Sequence, residues 1–324
     1  ITEVCLSQIA DYQYQLLLER YGEPTGPDGE RASLVMLALG KLGAREPNYH
    51  SDVDVVFLFD QQGATRHDRR SGDTTTNAHF FNELARRIIQ ASSQHGPLGR
   101  LLELDGNLRA TSPHSPLAVS LEDMEQFFAS AEAPLSQRRL FCKARAIYGT
   151  EKACLRCEDI ARHAVRSTPW VAESAAHIFQ QRMDLEQTAS VHNIKRGPGG
   201  TVDVEVITEM LQLKFAAHSP SILVQGTLDA LQILRDEGYL EEEDCRVLSQ
   251  SYDLLRSIES GLRLMNTTAR HDLPEEKKGL AQLAFLLGYD DPRQMVEQSR
   301  HYREENRRRF RAIFEHHSAA KPVG

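Results

Sequence analysis

Asp52 and Asp54 stand two residues apart at the mouth of the apolar run Val55-Val56-Phe57-Leu58-Phe59. The run has strand length, and strand side chains alternate faces, so both carboxylates point the same way. Like charges held side by side repel unless a cation lies between them. A hard divalent ion, Mg²⁺ first among them, is the simplest occupant because it prefers carboxylate and phosphate oxygen. Upstream, Gly40-Lys41-Leu42-Gly43 supplies two glycines, at which backbone N–H groups can approach a triphosphate, and an ammonium for phosphate. Ser51 adds a hydroxyl donor next to the first acid. Metal-dependent phosphoryl or nucleotidyl transfer is the chemistry that such a set serves.

A third carboxylate from a neighbouring strand would complete the cage. Residues Leu101–Arg109 alternate cleanly, with Leu102, Leu104, Gly106 and Leu108 on one face and Glu103, Asp105, Asn107 and Arg109 on the other. That pattern predicts a half-buried strand with a charged face. Asp105 is the leading third ligand and Glu103 the second choice. The Gly-Lys pair does not have P-loop spacing, since Val35 occupies the position five before Gly40.

The elements that must hold these residues follow from periodicity. Residues 1–20 are predicted helical, Gly22–Gly29 a loop, and Ser33–Leu39 and Asp52–Phe59 strands. The connection Gly40–His50 reads as too polar for a core element, and Gly72–Asn77 as a turn. Helical spacing runs through Phe80, Phe81, Leu84, Ile88 and Ile89, and again over Ser120–Phe128 and Leu135–Ile147. From Glu151 on, every segment carries helical periodicity (171–190, 202–217, 227–237, 241–265, 276–288 and 292–316), with short breaks such as Gly197-Pro198-Gly199-Gly200. The expected class is α+β: a small mixed-sheet catalytic domain over 1–155, then an all-helical bundle over 156–324.

With 324 residues the chain is long enough for two domains, and 40% hydrophobic and 26% charged residues fit a globular protein. A formal charge of -8 argues against a general nucleic-acid binder. No apolar run approaches the roughly 20 residues that span a bilayer, and no signal peptide is visible. The first residue is Ile1 rather than Met, so the sequence reads as a fragment of something longer. Five scattered cysteines do not form a disulfide framework, and the expected setting is a reducing cytoplasm. Cys154 and Cys157 have zinc-ligand spacing without a second pair, and are read as one turn of a helix. Arg303 to Arg311 is read as a solvated basic face paired with Glu304 and Glu305, and Trp170 as packing.

The run Gly40-Lys41-Leu42-Gly43-Ala44-Arg45-Glu46 through Ser51-Asp52-Val53-Asp54-Val55-Val56-Phe57-Leu58 resembles the signature of the glutamine synthetase adenylyltransferases, members of the nucleotidyltransferase superfamily typified by DNA polymerase beta. The resemblance continues through Phe80-Phe81 with Arg86-Arg87-Ile88-Ile89, through Leu104-Asp105-Gly106-Asn107-Leu108-Arg109, and through Lys143-Ala144-Arg145-Ala146-Ile147-Tyr148-Gly149, which matches an Ala-Arg helix. It reaches Gly199-Gly200-Thr201-Val202-Asp203-Val204-Glu205 in the helical part. The resemblance implies a DNA-polymerase-beta-like catalytic domain that attaches AMP from ATP to a tyrosine of glutamine synthetase. It implies Asp52, Asp54 and Asp105 as catalytic residues holding Mg²⁺ or Mn²⁺, with Gly40, Lys41, Gly43, Ser51 and Arg109 on the nucleotide. A PII-type signal protein and a second catalytic half are the further partners implied.

Departures are local: Leu108-Arg109-Ala110 stands for Leu-Arg-Pro, Asn107 for an Arg, and Ser136-Gln137 for Trp-Glu. Two alternatives stay open: the half that removes AMP by phosphorolysis, and a catalytically weakened regulatory module. Asp203 after the Gly-Gly turn resembles the transferase half and Ala44-Arg45-Glu46 the other; the reading leans to the transferase.

Overall fold

A computed structural model describes residues 1–67, 73–96, 99–100, 102–130, 133–266 and 271–319. In chain order the elements are α1 (Thr2–Tyr21), β1 (Glu23–Thr25), β2 (Leu34–Ala38), α2 (Gly40–Gly43), β3 (Val55–Phe59), β4 (Ala64–Arg66), α3 (Asn77–Ser93), β5 (His95–Gly96), β6 (Gly99–Arg100), β7 (Ala118–Ser120), α4 (Leu121–Ala129), α5 (Leu135–Leu140), a 3₁₀ turn (Phe141–Lys143), β8 (Arg145–Tyr148) and α6 (Glu151–Arg166). Helices α7 (Glu173–Glu186), α8 (Thr201–Phe215), α9 (Thr227–Asp236), α10 (Glu242–Met265), α11 (Lys277–Leu286) and α12 (Pro292–Ala319) follow. Two compact units result: Ile1–Glu46 with Ser51–Ser167, and Pro47–His50 with Thr168–Gly324. The boundary expected at 155/156 falls inside α6. That helix buries one continuous face (Ala153, Cys157, Ile160, Ala161, Ala164) and packs on β2, β8 and α4, so it stays whole with the first unit.

The first unit is a mixed α+β layer structure. Its main sheet has the order β7-β3-β2-β8, with β3 parallel to β7 and the other pairs antiparallel. Strands β2 and β3 are buried on both faces, which explains their unbroken apolar runs. Leu34, Met36, Val55, Phe57 and Phe59 share a core with Leu6, Ala10 and Leu17 of α1 and Phe80, Leu84 and Ile88 of α3. Thr76 caps α3 through the His79 N–H, and Ser120 caps α4 through the Asp123 N–H.

Several expectations are corrected here. Gly22–Gly29 is not all loop, because β1 pairs antiparallel with β4. Gly40–His50 begins with the helical turn α2, whose Leu42 is buried. Leu101 lies outside the described residues. From 102 to 109 there is no strand, only a single bridge at Leu104, because the chain turns at Gly106-Asn107. The helix expected over Leu135–Ile147, including the Ala-Arg segment, ends at Leu140. Arg145–Tyr148 instead forms β8, pairing Ala146 with Leu37 and Arg145 with Ala38. β-Branched and aromatic residues at 147 and 148, and a β2 edge that would otherwise lack a partner, favour the strand.

The second unit has helices joined by loops and no strand among its described residues, apart from the bridge Asn193–Asp272. Helix α8 is apolar nearly all round and is buried on almost every side, as a central helix must be. Its first turn carries Asp203, fully buried, whose carboxylate receives Arg182 Nε at 2.6 Å and the Gly199 N–H at 3.0 Å. Arg307 Nε lies 3.3 Å from the same carboxylate. Glu205 accepts the Tyr252 hydroxyl at 3.0 Å. These acids, read from the sequence as helix-dipole partners, therefore also tie α7, α8, α10 and α12 together. The basic run on α12 is not simply a solvated face: Arg309 pairs with Asp244 at 3.0 Å and with Glu305, and Arg303 donates to the carbonyl of Pro198.

Candidate active site

Val53 sets the geometry of the acids. It forms a parallel bridge with Leu104: its N–H donates to the Glu103 carbonyl at 2.8 Å, and the Asp105 N–H donates to its own carbonyl at 3.3 Å. Val53 and Leu104 are 4% and 7% exposed and both join the first unit's core. Bridge partners point to the same face, so their neighbours point to the opposite one. Asp52 and Asp54 therefore share a face with Glu103 and Asp105. Across about 4.8 Å of strand spacing, Asp52 stands beside Glu103 and Asp54 beside Asp105. Asp52, Glu103 and Asp105 are exposed and Asp54 is half-buried.

Four carboxylates without nitrogen or sulfur suit a hard divalent cation. The backbone brings Asp52, Asp54 and Asp105 to one face, but the side chains do not close into a cage. Asp105 Oδ1 accepts the Asn107 N–H at 2.8 Å, recruited by the turn that follows it. Among the described residues no group of three or more His, Cys, Asp or Glu side chains is placed to hold a metal ion. The donor set fits such an ion, with one Asp105 oxygen engaged by the Asn107 N–H.

The glycine turn meets the acids at one point. The Leu39 N–H donates to the Asp54 carbonyl at 2.9 Å, extending the β2–β3 ladder into the site. Gly40 follows with φ +50°, and a Cβ there would fall 2.3 Å from Asp54 Oδ2. Only glycine allows that backbone and that contact together. Lys41 is half-buried on α2, and Ser51 is half-buried just before Asp52.

Gly43 and Arg109 sit differently from expectation. The Gly43 N–H is taken by the Leu39 carbonyl at 2.9 Å, and a Cβ on Gly43 would lie 1.8 Å from the Lys143 carbonyl oxygen. Its smallness serves packing. Arg109 donates to the carbonyls of Ser115 at 3.0 Å, Gly106 at 2.8 Å and Leu108 at 2.9 Å, so its guanidinium braces the loop after Asp105.

One site-supporting residue escaped the sequence pattern. Arg145 reaches from β8 to the carbonyls of Leu42 and Gly43 and is clasped by Glu3 of α1. A contact across 142 residues leaves no periodic trace. Cys154 and Cys157 line α6, where burial pushes both thiols upward and keeps them protonated.

The fold and site define a class: a mixed α+β unit whose paired strands present carboxylates beside a glycine turn, followed by an all-helical unit. A family model described as glutamate-ammonia ligase adenylyltransferase matches residues 1–159, the first unit almost to its end. A second, described as GlnD PII-uridylyltransferase, matches residues 174–317. Curated relatives bear the name bifunctional glutamine synthetase adenylyltransferase/adenylyl-removing enzyme. That from Nitrosococcus oceani is 30% identical over 331 residues, covering 99% of this chain and 33% of the relative. That from Aromatoleum aromaticum is 29% identical over 325 residues, covering 97% and 33%. The chain thus spans about one third of the length of these relatives. The similarity to the glutamine synthetase adenylyltransferase family agrees with what its motifs implied. No described helix is long and apolar enough to cross a membrane.

Proposed function

We propose that the first unit is a DNA-polymerase-beta-like nucleotidyltransferase that moves AMP from ATP to a tyrosine of glutamine synthetase in the cytoplasm. The observation that carries this reading is the Val53–Leu104 bridge, which sets Asp52 and Asp54 on the same face as Glu103 and Asp105. In the proposed reaction the tyrosine oxygen attacks the α-phosphorus in line. A new O–P bond forms, the bond from the α-phosphorus to the bridging oxygen breaks, and pyrophosphate leaves. Asp105 accepts the hydroxyl proton; Lys41 and Ser51 hold the phosphates. A Mg²⁺ or Mn²⁺ held by Asp52, Asp54 and Asp105 would supply charge neutralisation on the phosphates. Arg109 acts on this site by bracing the loop that carries Asp105.

A PII-type signal protein is the proposed partner of the second unit, by its likeness to the GlnD model. The second reading is the adenylyl-removing half, in which phosphate attacks AMP-tyrosine and releases ADP. The relatives' bifunctional name supports either half.

The deciding experiment supplies the chain with labelled ATP, Mg²⁺ and glutamine synthetase, and separately with adenylylated synthetase and phosphate. Label gain is the expected result, abolished by Asp52→Asn with Asp54→Asn. ADP release alone would reverse the assignment. Neither activity, with PII binding intact, would make this a regulatory module.

A further inference from the structure

The proposed nucleotide turn hangs on a clasp that the family motifs leave without a role. Helix α2 is a single turn, too short to hold its own shape; the Ala44 and Arg45 N–H groups reach the Gly40 and Leu42 carbonyls, yet the turn still needs bracing from outside. Arg145 fills that need. Its Nε donates to the Gly43 carbonyl at 3.2 Å and its Nη2 to the Leu42 carbonyl at 3.0 Å. The same guanidinium is gripped by Glu3, with Nη2–Oε1 at 2.6 Å and Nη1–Oε2 at 3.3 Å. These bonds hold the Glu3 carboxyl below the usual carboxylate range. The Arg145 side chain is 12% exposed and that of Glu3 42%, so solvent screens the pair in part and the two-pronged geometry carries the contact. From below, the Lys143 carbonyl presses against Gly43. The far end of the same turn is Gly40, lying against Asp54.

We infer that Arg145 is a positioning residue for nucleotide binding: clasped by Glu3, it fixes the Gly40–Gly43 turn, and so aims Lys41 at the phosphates beside Asp54. This rests on the nucleotidyltransferase reading above. Charge at position 145 is not enough, because two carbonyls and a carboxylate must be met by one planar fork; lysine brings a single point donor. The effect belongs mainly in ground-state binding of ATP, since Lys41 meets phosphate before and during transfer.

The test compares wild type, Arg145→Gln, Arg145→Lys and Glu3→Gln in equilibrium binding of Mg²⁺–ATP, adenylyl-transfer kinetics and thermal unfolding. Arg145→Gln is expected to raise the Kd and KM for ATP about tenfold with a much smaller change in kcat. Arg145→Lys should recover only part of this. Glu3→Gln, which leaves the fork on the carbonyls, should shift KM in the same direction by about threefold, and serves as the folded variant should Arg145→Gln not fold. The decisive arm is Lys41→Met. If Arg145 acts through this turn, Arg145→Gln adds no further loss of ATP affinity in the Lys41→Met background, whereas a general weakening of the fold adds in full. Wild type that binds ATP, with Arg145→Gln and Glu3→Gln unchanged in Kd and KM, overturns the inference alone. Wild type that does not bind Mg²⁺–ATP overturns the nucleotidyltransferase reading and takes the inference with it.

Discussion

The carboxylate of Asp54 lies against the α-carbon of Gly40, so close that any Cβ on Gly40 would sit 2.3 Å from Oδ2. The two residues belong to adjacent, hydrogen-bonded chain segments, and the contact fixes the orientation of the acid. Gly40→Ala would have to adopt φ +50° and displace the carboxylate at once. The conformational cost alone is about 1 kcal/mol. Activity should suffer more than stability, falling about tenfold or more, because the acid moves from its place in the proposed site. Denaturant titration beside the adenylyl-transfer assay checks this, and a Gly40→Ala protein with full activity would refute the proposed placement.

Asp105 has two tasks that can be separated. Its Oδ1 accepts the Asn107 N–H and closes the turn, while its charge serves the proposed chemistry. Asp105→Asn keeps an acceptor oxygen in the same place and removes the charge. It should fold as wild type, with a midpoint within about 2 °C, and lose activity by on the order of 100-fold. Asp105→Ala should lose the turn bond too, and about 1 kcal/mol with it. If Asp105→Asn transfers AMP at the wild-type rate, Asp105 is a turn residue and nothing more.

Arg138 offers a stability test remote from the acids. It is 2% exposed, and its guanidinium donates to the carbonyls of Ala133, Ala164, Phe128 and Ser130 and to the Ser167 hydroxyl. It joins α4, α5 and the end of α6 through these acceptors. Arg138→Met should leave these buried carbonyls unmet and cost about 3 kcal/mol, seen as a lower urea midpoint at unchanged slope. A midpoint equal to wild type would mean that water replaces the guanidinium at no cost.

What could be read from the sequence was what repeats or aligns. The helices after Glu151 carry a 3.6-residue apolar period, and each appears close to its expected place. The two central strands were visible as apolar runs, and the shared face of Asp52 and Asp54 follows from alternation alone. The single bridge at Leu104 shows the limit: alternation over 102–108 was real in the burial pattern, yet Gly106-Asn107 turns the chain before a strand can form. β8 was hidden because Lys143–Tyr148 has no period of its own and is made a strand by the open edge of β2. The Arg145–Glu3 clasp, the Arg138 hub and the Asp203–Arg182 pair are long-range polar contacts, and no local pattern encodes them.

His317 gives the second unit a pH dependence with a definite sign. Its Nδ1 lies 2.9 Å from Lys214 Nζ, so the ammonium donates and the imidazole must stay neutral to accept. Burial, then the Lys214 charge, then His316 push His317 down to about 4. The unfolded chain binds the proton near pH 6.5 and the folded one only near pH 4, so the stabilisation is complete above 6.5. It is lost as pH falls through this window and levels off below about 4. The full span corresponds to about 3 kcal/mol. Trp170, the chain's one tryptophan, has its ring 5.9 Å from the same ammonium and reports unfolding of this unit by fluorescence. Urea titrations at pH 7.5, 6, 5 and 4.5 should show falling stability in wild type. His317→Gln retains an acceptor oxygen and should have a flatter profile across that range. Equal slopes in the two proteins would show that Lys214 does not hold the imidazole neutral.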